Sequence, residues 1–412
     1  MSSLPSAATP ADRPVMTPGL TVLVLSLLLG IQPITTDLYL PALPALTEGF
    51  GAPVSHAQLT LTALLLAFGV SQLVWGPLSD RYGRRPVLLW GLAAYTLSGV
   101  AAAFAPSMFL LIVFRTVQGA AMGAAVMCAR AIVRDLYTPE TGARVMSKGL
   151  SGLGVIACLS APLGGLLSDA FNWHVALLML AVFGALSLAL IALRFEETVP
   201  RLNPAATQPR TLLATWGRIL RNPTFLAFSS LSAASYGGLF TFLASSSFVF
   251  IRVLGFTKTQ YGIVMFSMSF VYIFGTIMCR RLLPRLGVRR SVAFAACLTL
   301  AGGTSMGVLA LLGVRSGWAI MIPFYLFMLG HGVHQPCSQS GAVGPFPQSA
   351  GAASALNGFL MMILAFGVGG WLGTQLEGGT VFPLTNGIWF WSACIAASAW
   401  TLVQKYGEPQ RS

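Results

Sequence analysis

Charge is scarce in this sequence. Of its 412 residues only 8% are Asp, Glu, Lys or Arg, and Asp and Glu together number 11. By contrast, 55% of the residues are hydrophobic, and the mean hydropathy of +0.76 is far above what the surface of a water-soluble domain tolerates. These values exclude an ordinary soluble globular protein and predict one that crosses a membrane many times.

Cysteine is also scarce, and its positions exclude two kinds of site. The six cysteines all lie in or at the edge of apolar runs, without the spacing of metal ligands: Cys128, Cys158, Cys279, Cys297, Cys337 and Cys394. We therefore expect small buried apolar residues, with neither a disulfide framework nor a bound metal. The sequence also lacks a nucleophile with a matching base, and a phosphate-binding loop, in a suitable context. An enzyme is therefore the least favoured class.

Long hydrophobic runs, in contrast, fill the chain. At about 20 residues per span, a chain of this length holds roughly twelve helices. We assign the spans to residues 18–40, 57–76, 87–105, 109–131, 145–168, 174–194, 224–249, 259–279, 291–313, 318–340, 352–374 and 385–404. Strands of a β-barrel would be shorter and would alternate in polarity, which these runs do not. The predicted fold class is an all-α membrane protein with twelve transmembrane helices.

The charges that are present are mostly basic and unevenly distributed. Lys and Arg number 24, and the formal net charge is +13. With both termini on the cytoplasmic side, only Arg252, Lys258 and Arg315 fall in outward-facing loops, while Arg115 lies within a span. This is the positive-inside pattern. The charge therefore indicates a multi-pass topology with cytoplasmic termini, and at most attraction to anionic lipid headgroups, and not nucleic-acid binding.

The sequence divides into two hydrophobic halves. We predict a disordered cytoplasmic tail at residues 1–17, an N-terminal six-helix bundle at 18–194, a C-terminal six-helix bundle at 224–405 and a short cytoplasmic tail at 406–412. The first span is too long for the core of a signal peptide and lacks a small-residue cleavage site, so we expect it to be retained. Residues 195–223 lack apolar periodicity and are interpreted as a cytoplasmic linker.

One acidic residue lies inside a span. An unpaired carboxylate costs several kcal/mol in hydrocarbon, so Asp37 must face a protein interior or a water-filled cavity. Arg115 is predicted at a similar depth in the outer half of the membrane and is the expected partner, with Gln118 about one turn away. We favour a role for these residues in proton or substrate coupling. The alternatives are a static ion pair and, for Arg115, a side chain that extends outward to the headgroups.

A charged loop separates the second and third runs. It reads Gly76-Pro77-Leu78-Ser79-Asp80-Arg81-Tyr82-Gly83-Arg84-Arg85. The glycines permit a close approach and a tight turn, and Asp80 can latch two helices together by accepting hydrogen bonds. We therefore predict a conformational gate formed by Gly76, Asp80, Arg81, Gly83, Arg84 and Arg85. The alternative is a loop that only sets the topology. A partial second copy at 285–290 has Pro284 in place of Asp80.

This loop fits, position by position, the signature G-x-L-x-D-R-x-G-R-[RK] between helices 2 and 3 of the major facilitator superfamily. Two further matches follow in the order of that superfamily: Arg115, Gln118 and Gly119 on helix 4, and Gly154, Pro162, Gly164 and Gly165 on helix 5. The helix 4 arginine of the family is linked to proton transfer. The helix 5 motif is associated with antiporters, although Ala161 stands where glycine is usual. The resemblance implies two pseudo-symmetric six-helix bundles, the major facilitator fold.

Three elements resemble the bicyclomycin and chloramphenicol resistance (Bcr/CflA) branch of the drug:proton antiporters. They are Asp37-x-Tyr39-Leu40-Pro41-x-x-Pro44, Phe240-Thr241-Phe242, and Phe346-Pro347 with the segment 350–356. The resemblance implies efflux of small drug-like or amphipathic compounds across the bacterial inner membrane by alternating access, in exchange for protons and without another cofactor. We expect a monomer. The alternative is a proton-coupled uptake symporter for a small metabolite, and a membrane sensor without flux is a rival from another class.

The remaining polar and aromatic side chains within the spans are candidates for a substrate cavity. We single out Tyr39, Met122, Tyr236, Phe240 and Phe242, although glycines and hydroxyls beside aromatics suit close helix packing equally well. His331 and His334 stand three residues apart on one span. No third ligand for a metal is apparent nearby, so we favour a polar pair or a proton relay.

Overall fold

The computed structural model describes residues 16–137, 139–199, 202 and 204–407, and the predicted tails at 1–15 and 408–412 lie outside the described residues. Within these ranges the chain is helical throughout, without a β-strand. This agrees with the predicted all-α fold class. A helical fold is expected for so apolar a chain, because a helix satisfies its backbone hydrogen bonds internally where no water is present.

Twelve long helices, which we label α1 to α12, account for most of the described residues. They are α1 Pro18–Asp37, α2 Val54–Tyr82, α3 Arg84–Ala103, α4 Met108–Leu136, α5 Pro139–Ala170, α6 Trp173–Arg194, α7 Pro223–Ser247, α8 and α9 at 258–286 and 288–311 within the continuous helix Lys258–Leu311, α10 Gly317–Val343, α11 Ala350–Gln375 and α12 Phe382–Ala397. Shorter helical segments are Leu40–Ala42, Leu43–Phe50, Pro204–Thr207, Pro209–Leu220, Phe248–Val253, Pro347–Ser349, Leu376–Gly378, Ser398–Leu402 and Val403–Tyr406.

Nine of the helices described are long and apolar enough to cross a membrane. One of the nine is Lys258–Leu311, which contains both α8 and α9, and the twelve are completed by α10 and α12. Each of the twelve corresponds to one predicted run. The segment 195–223, predicted to lack apolar periodicity, contains the helix Pro209–Leu220. In this helix Ile219 is buried while Leu213 is exposed, so its apolar contact is confined to a narrow stripe that is easily missed in the sequence.

Two glycines mark equivalent helix junctions in the two halves. Gly83 separates α2 from α3 with φ 103° and ψ 161°, and Gly287 separates α8 from α9 with φ 68° and ψ 175°. This backbone region is open almost exclusively to glycine. The second copy of the charged loop therefore repeats the backbone conformation of the first. The surroundings differ, because a Cβ at Gly83 would collide with Glu197, whereas a Cβ at Gly287 would meet open space.

Two seams join the halves. Helix α2 packs along α11, and helix α5 packs along α8. Small residues allow close approach at both seams: a Cβ at Gly69 would strike Met362, and a Cβ at Gly165 would strike the carbonyl of Lys258. We refer to the membrane face near Arg84 as the basic face, and to the face near Lys258 as the opposite face.

Candidate functional site

Helix α1 ends inside the protein at the residue predicted to carry a proton. Asp37 is the last residue of α1, and the chain continues through the 3₁₀ turn Leu40–Ala42 into the helix Leu43–Phe50. Pro41 and Pro44 start these two short segments, because proline cannot donate the backbone hydrogen bond that a continued helix needs. A carboxylate at this position meets the negative end of the helix dipole. Its negative charge is therefore poorly supported by its own helix.

The Asp37 carboxyl group faces the second half of the protein. Its side chain is partly accessible, and its recorded hydrogen bond is a donation from Thr36 Oγ1 to Oδ1 at 2.8 Å. The turn that follows it, Leu40–Ala42, packs against α7 and α8 of the second half. Asp37 thus directly precedes the turn through which the end of α1 meets two helices of the other half.

Arg115 of α4 is completely buried, with 0% of the side chain exposed. Its Nη1 donates to Gln118 Oε1 at 2.7 Å, and its Nη2 donates to the carbonyl of Thr35 at 3.0 Å. Its guanidinium carbon lies 4.2 Å from the centre of the Tyr39 ring, in a cation–π contact. The alternative in which Arg115 extends outward to the headgroups is therefore wrong. The predicted contact between Arg115 and Gln118 is present.

A direct pair between Arg115 and Asp37 is not present among the described contacts. Arg115 reaches α1 at the Thr35 carbonyl, two residues before Asp37. The side chains of Thr35 and Asp37 are about 200° apart around the helix, so a position beside Thr35 does not place Arg115 beside the Asp37 carboxylate. A similar depth in the membrane, on which the predicted pair was based, does not determine the direction of a side chain around the helix. The cation is held beside the end of α1, and the carboxylate remains available to the space between the halves.

Two tyrosines fix the surroundings of Arg115. The hydroxyl groups of Tyr95 and Thr35 share a hydrogen bond of 2.6 Å, and those of Tyr39 and Thr60 share another of 2.6 Å. Tyr39, predicted to line a substrate cavity, here presents its ring to Arg115. The sequence analysis missed Tyr95 and Thr60. The sequence offers one signal for these two residues, which is a polar group within an otherwise apolar run.

The other predicted cavity residues separate into two environments. The rings of Tyr236 and Phe240, one helical turn apart on α7, are nearly parallel, with centroids 6.3 Å apart. Phe242 stacks on Phe324 at 3.8 Å, in an aromatic cluster of the second half. Met122 is fully buried in α4. In this structure, therefore, Phe242 is a packing residue, whereas Tyr236 and Phe240 pair with each other on α7.

The predicted gate is a cluster of ion pairs on the basic face. Arg84 lies 2.7 Å from Asp80 and 2.8 Å from Asp135, and its side chain is only 3% exposed. Arg134 lies 3.7 Å from Asp80. These contacts join the loop to the end of α4. Asp135 also lies 3.9 Å from Arg134, so Arg84 is the closer of its two arginine partners.

The same loop is tied to the segment that follows α6. Glu197 accepts hydrogen bonds from the backbone N–H groups of Arg84 and Arg85 at 2.9 and 3.0 Å, and so caps the first turn of α3. Arg85 Nε donates to the carbonyl of Phe195 at 3.0 Å, and Arg81 Nη1 donates to Thr207 Oγ1 at 2.8 Å. Of the other gate residues, Gly76 makes ordinary contact with Met127. The sequence analysis missed Glu197, because more than a hundred residues separate it from the loop.

Three of the four predicted positions on helix 5 lie at helix contacts. A Cβ at Gly164 would collide with the carbonyl of Leu38, and Pro162 lies against Gly262 of α8. Gly165, as noted above, lies against Lys258. Gly154 faces open space, and the close contact in its neighbourhood belongs to Gly152, which lies against Ser26 of α1. The motif therefore packs α5 against both the end of α1 and the start of α8.

On the opposite face, hydrogen bonds join the halves. Asp169 at the end of α5 accepts from the backbone N–H and the hydroxyl of Thr259 at 2.7 and 2.6 Å. Lys258 Nζ donates to the carbonyl of Ser168 at 3.1 Å, and Arg252 donates to the carbonyl of Pro44 at 3.0 Å. The halves are therefore tied together at this end. On the basic face, a recorded hydrogen bond between α4 and α11 runs from Arg130 to Ser354 at 2.9 Å.

The two histidines of α10 are both buried and contact different neighbours. His331 Nδ1 shares a hydrogen bond of 2.8 Å with Ser235 Oγ, and His334 Nε2 lies 3.3 Å from the carbonyl of Val292. Within the part of the chain that the structure describes, no group of three His, Cys, Asp or Glu residues could hold a metal ion. The pair therefore belongs to the polar interior of the second half.

Comparisons with curated proteins extend over most of the chain. It is 32% identical to Multidrug resistance protein D of Escherichia coli (strain K12), over 83% of this chain and 85% of that protein. It is 25% identical to the Bicyclomycin resistance protein homolog of Haemophilus influenzae (92% and 94% covered), and 26% identical to the Chloramphenicol resistance protein of Pseudomonas aeruginosa (88% and 86% covered).

Solved structures share the fold at low sequence identity. A D-xylose-proton symporter superposes with a TM-score of 0.74 at 14% identity, covering 93% of this chain and 97% of that one. An inward-facing bacterial homolog of the lysosomal transporter Spinster gives 0.71 at 16% identity, covering 96% and 98%. The family model of the Major Facilitator Superfamily matches residues 25–370. The resemblance noted in the sequence is thereby confirmed, and the chain belongs to the Major Facilitator Superfamily.

Proposed function

We propose that this protein exports small drug-like or amphipathic compounds across the bacterial inner membrane in exchange for protons. The names of its relatives support the substrate class, because three of them are resistance proteins for several drugs, bicyclomycin or chloramphenicol. The observation that carries the coupling is the Asp37 carboxyl group. It is partly accessible, directly precedes the turn that packs against the second half, and has no cationic partner among the described contacts, so substrate and proton can compete for the space around it.

In the proposed cycle, the two halves move as rigid bodies around the space that contains Asp37. Substrate enters from the cytoplasm and displaces the proton, and protonation from the outside resets the carrier. At ~2.3 kcal/mol per charge per 100 mV, together with a pH gradient, one proton supports a concentration ratio of roughly a hundredfold or more. Transport of this kind requires no further cofactor and no catalytic residue.

Arg115 acts in this scheme as a positioning residue. Its hydrogen bonds to Gln118 and to the Thr35 carbonyl hold the end of α1. The guanidinium therefore binds the backbone two residues before Asp37. Protonation of Asp37 removes its electrostatic attraction to Arg115 and so changes the forces on the end of α1. Gln118, Tyr39 and Tyr95 keep the guanidinium in place during the cycle.

The ion pairs of the basic face form the proposed gate. Arg84 joins α3 to α4 through Asp135, and Asp80 shares its carboxylate with Arg84 and Arg134. A cluster of this kind can rearrange when α11 moves relative to α2. We place the basic face in the cytoplasm, because Arg and Lys are concentrated there, with both termini on that side. We also propose that the protein is a monomer in contact with membrane lipid. Its two bundles comprise residues 18–194 and 224–405 and are joined by a cytoplasmic linker.

Uptake of a metabolite together with a proton is the second candidate, because it uses the same architecture. Everted vesicles distinguish the two. When respiration has acidified the vesicle lumen, addition of an exported drug such as chloramphenicol makes an antiporter release protons from the lumen. A symporter with this sidedness releases none. The close packing of Pro162, Gly164 and Gly165 favours antiport, since their motif resembles that of antiporters.

The experiment that tests the proposal compares wild type with Asp37→Asn in an efflux-deficient host. We expect the wild type to raise resistance to amphipathic antibiotics and the variant to lose that resistance while it reaches the membrane in equal amount. Glu48→Gln is the matched control, since Glu48 is an exposed acidic residue at the opposite face. Equal resistance from wild type and Asp37→Asn would contradict the coupling role.

A further inference from the structure

The second half contains a buried cluster of neutral polar side chains that the proposed cycle does not use. It consists of Ser232 on α7, Gln335 on α10 and Asn357 on α11, with 0%, 6% and 4% of their side chains exposed. Three helices thus bring two amides and one hydroxyl together. These helices carry no Asp, Glu, Lys or Arg. Recognition in this cluster therefore depends on hydrogen bonds between neutral groups.

The hydrogen bonds within the cluster are long and incomplete. Asn357 Nδ2 lies 3.4 Å from Ser232 Oγ and 3.9 Å from the sulfur of Met361, and Gln335 Nε2 lies 3.4 Å from the carbonyl of Ser232. Typical N–H···O bonds are about 2.9–3.0 Å. Asn357 Oδ1 is buried and has no partner. Since an unpaired buried carbonyl is costly, this arrangement is poorly suited to a purely structural role.

A second amide in the same half illustrates a structural role. Gln404 donates to the carbonyl of Arg289 at 3.1 Å and to the carbonyl of Ala399 at 2.9 Å, and so fastens the end of the chain to α9. Its donors are therefore paired at ordinary distances. Asn357 differs from the partly exposed Gln404 in having a buried acceptor without a partner and only long donor contacts.

The position of the cluster relates it to the transport path. Ser232 lies on α7, the helix that packs against the turn Leu40–Ala42 directly after Asp37. A Cβ at Gly358, next to Asn357, would lie 3.3 Å from Gln72 Oε1 of α2, so the cluster adjoins the seam between the halves. Toward the basic face, the exposed Gln339 donates to Gln335 Oε1 at 3.0 Å. A line of amides therefore leads from the basic face toward the level of Asp37.

We propose that Asn357, with Gln335 and Ser232, determines specificity by binding the hydrogen-bonding groups of uncharged substrates. Asn357 Oδ1 accepts from an N–H or O–H group of the substrate, and the amide N–H groups of Asn357 and Gln335 donate to its carbonyl or hydroxyl oxygens. This inference rests on the proposed function for its substrate. It adds a site in the second half whose ligands are neutral compounds with amide or hydroxyl groups.

Two probes distinguish this role from packing. Chloramphenicol is uncharged and carries an amide and hydroxyl groups, whereas tetraphenylphosphonium is a cation without a hydrogen-bonding group. We would measure the Kd of each for the purified protein by calorimetry, in wild type, Asn357→Leu and the control Gln404→Leu. Because binding is measured directly, the outcome does not depend on proton coupling. A failure of the export proposal in vesicles would therefore be recognised separately.

We expect Asn357→Leu to weaken chloramphenicol binding about three- to tenfold and to leave the Kd of tetraphenylphosphonium unchanged. Gln404→Leu should change neither. If Asn357→Leu does not fold, Asn357→Asp tests the same site, because an added carboxylate should tighten tetraphenylphosphonium binding. The inference is overturned if wild type does not bind chloramphenicol, if both probes weaken equally, or if neither variant of Asn357 changes either Kd.

Discussion

The polar interiors of the two halves differ in charge. In the first half, Asp37 and Arg115 lie within the membrane span, and Arg115 is held by two hydrogen bonds and an aromatic ring. In the second half, the buried groups nearest the same space are hydroxyls, amides and histidines, as in the cluster around Asn357. Buried charge is costly unless it serves a function or is fully supported. This difference is the basis of the division of labour that we propose, with proton coupling in the first half and substrate recognition in the second.

The largest expected effect in the comparison of the two halves comes from the close contact between α5 and the end of α1 in the first half. Gly164→Val should destabilise the protein by about 3 kcal/mol and abolish drug resistance, because its side chain would collide with the Leu38 carbonyl beside Asp37. Gly154→Val is the matched control, since its side chain would enter open space. Membrane yield, thermal unfolding and resistance are the measurements. A folded and active Gly164→Val protein would show that the end of α1 needs no such support.

A somewhat smaller effect is expected at the buried cation. Arg115→Met should lower proton-coupled transport about 10- to 100-fold, because it removes charged hydrogen bonds to Gln118 and to the Thr35 carbonyl. Arg115→Lys should recover only part of this activity, since an ammonium cannot reproduce the planar fork of donors. Initial rates of drug-induced proton release in everted vesicles measure the effect.

The corresponding change in the second half is the control for Arg115. His331→Gln removes a buried polar ring that bonds to Ser235 while preserving a hydrogen-bonding group. We expect the rate of proton release to stay within about threefold of wild type. An equal loss of coupling in both variants would contradict the division of labour between the halves.

The smallest expected effect comes from Glu197, which caps the helix junction at Gly83 but has no counterpart at the junction at Gly287 among the described residues. Glu197 caps α3 at Gly83, while the described surroundings of Gly287 place nothing near its Cβ position. Glu197→Gln should lower the free energy of unfolding by only about 0.5 kcal/mol, because the carboxylate is exposed to solvent. Glu196→Gln, an exposed neighbour, should have no effect. Thermal unfolding in detergent measures both, and equal midpoints for the two variants would argue against the cap.

Much of the fold could be predicted from the sequence, because hydrophobic runs of span length have few alternatives in a membrane protein. The charged segment 76–85 does lie at a helix junction, but it is helical on both sides of Gly83 and not a loop. Gly83 and Gly287 adopt matching conformations that only the repeated motif indicated. These features depend on local sequence. They require neither the angle of one helix against another nor contacts between distant segments.

The details of the site could not be predicted, because they depend on angles around helices and on distant contacts. Equal depth suggested that Arg115 would meet Asp37, yet the guanidinium binds the carbonyl of Thr35. Phe242 could have been separated from Phe240, since two residues turn about 200° around a helix. Glu197 had no local signal at all, because its partners at Arg84 and Arg85 lie more than a hundred residues earlier.

The central claim is that Asp37 carries the coupled proton, and reconstituted vesicles test it most directly. Wild type and Asp37→Asn would be compared for substrate counterflow, which needs only movement of the carrier, and for drug accumulation driven by an imposed pH gradient. We predict that Asp37→Asn retains counterflow and loses accumulation against a gradient. Accumulation by Asp37→Asn at the wild-type level would contradict the account.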